Sequence, residues 1–100
     1  MKIEEIRKVF IDKRFRYTKH GVEQRINRNI SSEEIRQVIS NGEIIEDYPS
    51  DKYGPSCLIY GKTEKGRALH IQVGFHPIIS VVTTYEPNPE EWIDNKIRRN

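Results

Sequence analysis

The apolar period of this chain changes at Gly42, and that change limits what it can fold into. Before Gly42, the sets Ile3, Ile6, Val9, Phe10 and Ile35, Val38, Ile39 recur at the spacing of helices with one buried face. After it the period falls to two residues, and Gly and Pro begin to punctuate the sequence. Strands are predicted over 43–48, 56–63, 67–75 and 78–86, joined by PSDKYGP, TEKG and a His76-Pro77 corner. Connections this short favour an antiparallel meander. Pro87 and Pro89 end the last strand, and 90–99 is predicted to form a short C-terminal helix with Trp92 packed back on the body. The expected fold is therefore α+β, with N-terminal helices packed on one face of a four-stranded antiparallel sheet. One hundred residues fit a single domain.

Alternation in the third strand assigns Leu69, Ile71, Val73 and Phe75 to one face, and Ala68, His70, Gln72 and Gly74 to the other. This is the pattern of a sheet covered by helices on one side only. In the fourth strand, either Thr83 and Tyr85 or Thr84 stands beside His70. Ser31 and Glu34 have the spacing of a capping box, and Asn41-Gly42 supplies a helix stop through a left-handed glycine. Upstream, TKHGVEQRINR read as a helix puts His20, Gln24, Asn27 and Arg28 on one polar arc, opposite Val22 and Ile26. Arg25 lies about 140° from His20 on that helix. It either reaches round the helix edge or is a structural arginine paired with an acid or a backbone carbonyl.

Charge is unevenly distributed. Residues 1–28 hold nine Lys or Arg against four acids, whereas 31–60 hold two against six. A basic patch is the footprint of a polyanion-binding surface, and also of a solvated helix. Within KRFRYTKH, Arg14, Arg16 and Lys19 interleave with Phe15 and Tyr17. That mixture can hold RNA by phosphate contacts and base stacking, or the aromatics can simply pack. Charged residues make up 32% of the chain and the mean hydropathy is -0.76, so a soluble domain is expected. No apolar run approaches a membrane span and no signal peptide is evident, which points to the cytoplasm. The lone Cys57 has no disulfide or zinc-ribbon partner, and its apolar neighbours make it a buried small hydrophobe. His20, His70 and His76 lack metal-ligand spacing, and no phosphate-binding glycine loop is present, so neither a metal nor a cofactor is expected.

The remaining residues suit metal-independent RNA cleavage. That reaction needs a base for the 2′-OH, an acid for the 5′-oxygen and cations for the phosphate. His20 and His70 supply acid–base groups, Arg25 and Arg28 forked phosphate clamps, and Tyr85 a hydrogen-bond donor or stacking ring. Gln24 adds a further RNA contact. The rival reading is a non-catalytic module that binds RNA or protein.

The succession HGVEQRINRNIS, VISNGEIIEDYP, PSCLIYG and ISVVTTYEPNPEEW resembles a bacterial family known as domain of unknown function 4258. The resemblance covers about 17–92, matching at His20, Arg25, Arg28, Ile30, Ser31, Gly42, Cys57, Gly61, Thr83 or Thr84, Tyr85 and Pro87. Members often carry Ala where this chain has Gly21. The family is distantly similar to the RelE, ParE and BrnT toxins, which implies a RelE-like fold and a toxin of a type II toxin–antitoxin pair. The resemblance further implies ribonuclease activity on free or ribosome-bound RNA, and a cognate antitoxin such as a zinc-finger protein of the MqsA type. A gyrase-directed toxin resembling ParE is the alternative within that group.

Overall fold

Helices form the first half of the chain in the computed structural model, which describes residues 2–52 and 54–100. Helix α1 (Ile3–Ile11) buries Ile6 and Phe10. Helix α2 (Lys19–Asn27) starts at Thr18, whose hydroxyl accepts from Gly21 N at 2.9 Å. Helix α3 (Ser32–Asn41) carries the expected capping box: Glu34 N donates to Ser31 Oγ and Ser31 N donates to Glu34 Oε1. Its buried face is Ile35, Val38 and Ile39.

Among the described residues, six of seven strands follow the helices: β2 (Glu43–Tyr48), β3 (Ser56–Lys62), β4 (Ala68–Gly74), β5 (Ser80–Tyr85), β6 (Trp92–Ile93) and β7 (Ile97–Arg98). The strand β1 (Arg16–Tyr17) precedes α2 and changes the topology. The main sheet is five-stranded and mixed, in the order β1-β5-β4-β3-β2, rather than four-stranded and antiparallel. β1 runs parallel to β5: Arg16 N donates to Ile79 O at 2.9 Å and Thr18 N to Val81 O at 3.0 Å. A two-residue strand inside a basic segment carries no alternation to read.

The C-terminal segment also differs from expectation. Instead of a helix, β6 and β7 form a separate antiparallel ribbon. Asp94 and Asn95 are both left-handed, at φ 51° and 63°, and Lys96 N donates to Ile93 O at 3.0 Å. Asp and Asn tolerate that conformation, and two in succession make a type I′ turn that a helix cannot contain. Within the PSDKYGP connection, Tyr53 lies outside the described residues.

All three helices cover one face of the sheet or its β1/β5 edge. Beneath them Cys57, Ile59, Leu69, Ile71, Val73 and Val81 form a single core with Ile6, Phe10, Ile30 and the buried face of α3. A bulge in β5 resolves the choice left by its alternation. The register shifts between Gln72 and Val73, so Val81 and Thr84 both face the core while Thr83 and Tyr85 face outward beside Gln72 and His70.

Two glycines set distances between layers. A Cβ on Gly21 would stand 2.2 Å from Val81 O, so α2 lies against β5 more closely than alanine allows. Gly42 is extended (φ -83°, ψ -175°) rather than left-handed. It is needed for approach: a Cβ there would meet Val38 O at 2.5 Å and Tyr60 O at 2.6 Å.

Candidate functional site

The outer sheet face is polar and divides into a covered part and an open part. In the covered part, Tyr60, His70 and Tyr85 form a row across β3, β4 and β5. The β6/β7 ribbon lies over it. Trp92 meets the His70 ring edge-on at 4.5 Å, and His70 is fully buried. Since a carbonyl only accepts, His70 Nε2 donates to Asn95 O at 2.6 Å, which leaves Nδ1 to accept from Tyr85 Oη at 3.3 Å. Burial holds this imidazole below its ordinary pKa. With both nitrogens engaged and no solvent access, His70 is placed to hold the ribbon.

The ribbon is also tied by charge. Arg98 pairs with Glu46 at 3.0 Å and lies over the Trp92 ring at 4.5 Å. Burial opposes ionisation of Glu46, but hydrogen bonds from Arg98 and Tyr48 hold it below its ordinary pKa. Burial and the same carboxylate push the Tyr48 phenol up to about 12, so it remains a hydrogen-bond donor at neutral pH.

The open part is a cleft of about 770 Å³. Thr18 and His20 enter from the start of α2, His76 and Pro77 from the β4–β5 connection, and Asp51 and Gly54 from the β2–β3 connection. Ser56, Gln72, Gly74 and Thr83 line its sheet side. Both His20 and His76 are exposed. A hydrogen-bonded trio lies below them: Ser56 Oγ donates to Asp51 Oδ2 at 3.0 Å, and Gln72 Nε2 donates to Ser56 Oγ at 3.0 Å and to Asp51 Oδ2 at 3.2 Å. His20 is therefore joined in the cleft by His76 rather than by His70.

The other residues singled out by sequence separate into two groups. Arg25 faces away from the cleft: its Nη1 donates to Ile30 O at 3.2 Å and its guanidinium lies 5.5 Å from the Tyr17 ring centre. It is the structural arginine bonded to a backbone carbonyl. Arg28 donates to Thr84 O at 3.1 Å and lies 5.9 Å from the Tyr85 ring centre, beside the covered row. Tyr17 is half-buried, sharing a hydrogen bond with Ser32 Oγ at 2.9 Å and meeting Phe15 edge-on, while Phe15 stacks on Phe10 at 4.0 Å. Those aromatics pack against one another and against α1 and α3. Arg14 pairs with Asp12 at 3.2 Å, Arg16 and Lys19 are exposed, and Gln24 is half-buried. Cys57 sits in the core, where burial pushes its thiol up to about 12. Among the described residues, no group of three metal-ligating side chains occurs, and no helix is long and apolar enough to cross a membrane.

The sequence model of a family described as a domain of unknown function (DUF4258) matches residues 17–89. The chain belongs to that family. The DUF4258 match takes in Tyr17 of β1 and all of β2 through β5, and with them the residues that line the cleft. The β6/β7 ribbon lies beyond it. No curated protein and no solved structure matches the chain.

Reading the sequence alone missed the cleft roles of His76, Asp51, Ser56 and Thr83. The His76-Pro77 corner reads as a turn. Only the parallel pairing of β1 with β5 brings that turn to the same end of the sheet as the start of α2.

Proposed function

We propose that this chain is a metal-independent endoribonuclease working by acid–base catalysis, and that it acts in the cytoplasm as the toxin of a toxin–antitoxin pair. The observation that carries the reading is the entry of two histidines, His20 and His76, into one open cleft. Histidine is the side chain best suited to exchange protons near neutral pH. One imidazole takes the proton of the ribose 2′-OH as its oxygen attacks the adjacent phosphorus. The other, protonated, gives its proton to the departing 5′-oxygen. The products are a 2′,3′-cyclic phosphate and a 5′-hydroxyl, with no net gain or loss of atoms. The N-terminal end of α2 and the hydroxyl of Thr83 lie at the cleft to receive the phosphate oxygens. Toxin identity and a zinc-finger antitoxin of the MqsA type rest on the resemblance to the RelE, ParE and BrnT toxins. The helices laid over one face of a sheet support the RelE-like reading.

The test is cleavage of a defined RNA by the purified chain, with and without chelator, between about pH 5 and 9, across the range in which histidines titrate. Chelator-insensitive cleavage giving a cyclic phosphate is expected, reduced about 10²–10⁴-fold in both His20→Ala and His76→Ala. A gel shift without cleavage would replace this reading with a non-catalytic RNA-binding module. Cleavage that survives both substitutions would remove the site.

A further inference from the structure

The bulge in β5 also shapes the bottom of the cleft. Val81 and Thr84 both point into the core, so the two residues between them, Val82 and Thr83, turn to the outer face together and line the cleft. An apolar side chain is thereby aimed into the cleft, which is a common use of a bulge. Beside it on β4 stands Gly74, on the same outward set as Gln72. A Cβ built on Gly74 would meet one atom within 4 Å, Val82 Cγ2 at 3.2 Å, and would otherwise stand in open space. The missing side chain leaves room next to Val82.

Together with Pro77, these residues give the cleft a hydrocarbon floor, while His20, His76 and the Thr83 hydroxyl stand around it. Such a floor suits a ligand with a flat apolar face and polar edges. A nucleobase has that shape, and every base presents a π-face, so the fit is tolerant of sequence. At about 770 Å³ the cleft is the size of a small-molecule site, with room for a base and its sugar phosphate. In a duplex both faces of each base are covered by its neighbours. Only an unpaired, unstacked base can lie on the floor.

We propose that Val82, Pro77 and the space left by Gly74 seat one unpaired nucleobase beside the two histidines, so that the cleft takes single-stranded RNA and Gly74 limits what it admits. The choice of RNA as the ligand rests on the ribonuclease reading, and binding is measured without cleavage.

The full chain is titrated by fluorescence anisotropy with a 2′-fluoro RNA strand, which has no 2′-OH to attack the phosphate, both free and annealed to its complement. Charge alone favours the duplex, whose phosphates are more closely spaced. The free strand should nevertheless bind about tenfold more tightly, toward the low end of what one stacked base contributes. Gly74→Leu, which fills the seat, should remove that preference, and Gly74→Ala should keep most of it. Val82→Ser, which takes hydrocarbon from the floor without adding bulk, should also reduce it, and decides the matter if thermal melts show that Gly74→Leu is unfolded. Equal or tighter binding of the duplex by the wild-type chain overturns the proposal, and so does an undiminished preference in either folded variant, Gly74→Leu or Val82→Ser. A single-strand preference lost in these variants, with no cleavage of ordinary RNA, would sink the ribonuclease reading and keep the seat. Cleavage of single strand and duplex at equal rates would do the reverse.

Discussion

Arg25 and Gly21 sit on one short helix and show how function and packing are divided at single residues. Because Arg25 is bonded to the Ile30 carbonyl and lies against Tyr17, Arg25→Ala should lower stability by about 1–3 kcal/mol, the usual loss for a hydrogen bond from a charged donor. Chemical denaturation measures this. A variant of unchanged stability but lost activity would return Arg25 to the catalytic set. Gly21→Ala should also destabilise. Alanine improves the helix by about 1 kcal/mol, but overpacking against a backbone carbonyl typically costs about 1–3 kcal/mol and here the approach is 2.2 Å. A raised urea midpoint would show that α2 moves away from β5 without penalty. The division of α2 into a His20 side and an Arg25 side was legible from helical angles alone. The identity of the second histidine was not, because it depends on which strand β1 joins.

Among the elements, the β6/β7 ribbon depends on a neutral His70. Burial depresses that imidazole, with Arg98 assisting, while the Asn95 bond and Glu46 act in the opposite sense. The unfolded chain therefore binds the proton more readily. This contribution to stability is complete above the unfolded value of about 6.5 and declines as pH falls through it. Wild-type melting temperature should fall between about pH 7.5 and 5.5, and the fall should be smaller in His70→Gln, where this titration is absent. Equal slopes in the two proteins would remove His70 as the cause. Glu34, held low first by the Ser31 backbone N–H and then by Arg67, contributes above its ordinary value and loses that only in stronger acid. The same holds for Glu46, so neither carboxylate obscures the His70 window. Strand positions were legible because their two-residue alternation is strong: β2 spans its predicted 43–48. The ribbon was not, because Pro87 and Pro89 followed by charged residues fit a helix start, and the Asp94-Asn95 turn signal went unread.

Across the whole molecule, the sheet separates a helical, well-packed side from a polar side with an open cleft. The exposed cations of the N-terminal third lie around β1 and the start of α2, next to that cleft. If RNA uses them, combining Lys13→Ala, Arg16→Ala and Lys19→Ala should weaken binding and flatten its salt dependence by about 0.7 log units per lost contact with single-stranded RNA. Fluorescence anisotropy at several salt concentrations reads both effects, and an unchanged slope would direct RNA elsewhere. The α+β class and the placing of the helices on one side of the sheet were legible because two periodicities occupy separate halves of the chain. Its mixed topology was not, because a parallel edge strand of two residues leaves no pattern in the sequence.

That edge strand bears on when the protein becomes complete during its own synthesis. Thr18 and Val82, whose contact joins the start of α2 to β5, are 64 positions apart. A ribosome must therefore release nearly the entire sheet before His20 has a strand to rest against. Until then His20 and His76 belong to separate, unjoined parts of a growing polypeptide, and a product terminated before β5 contains the first histidine without the surface that gives it a neighbour.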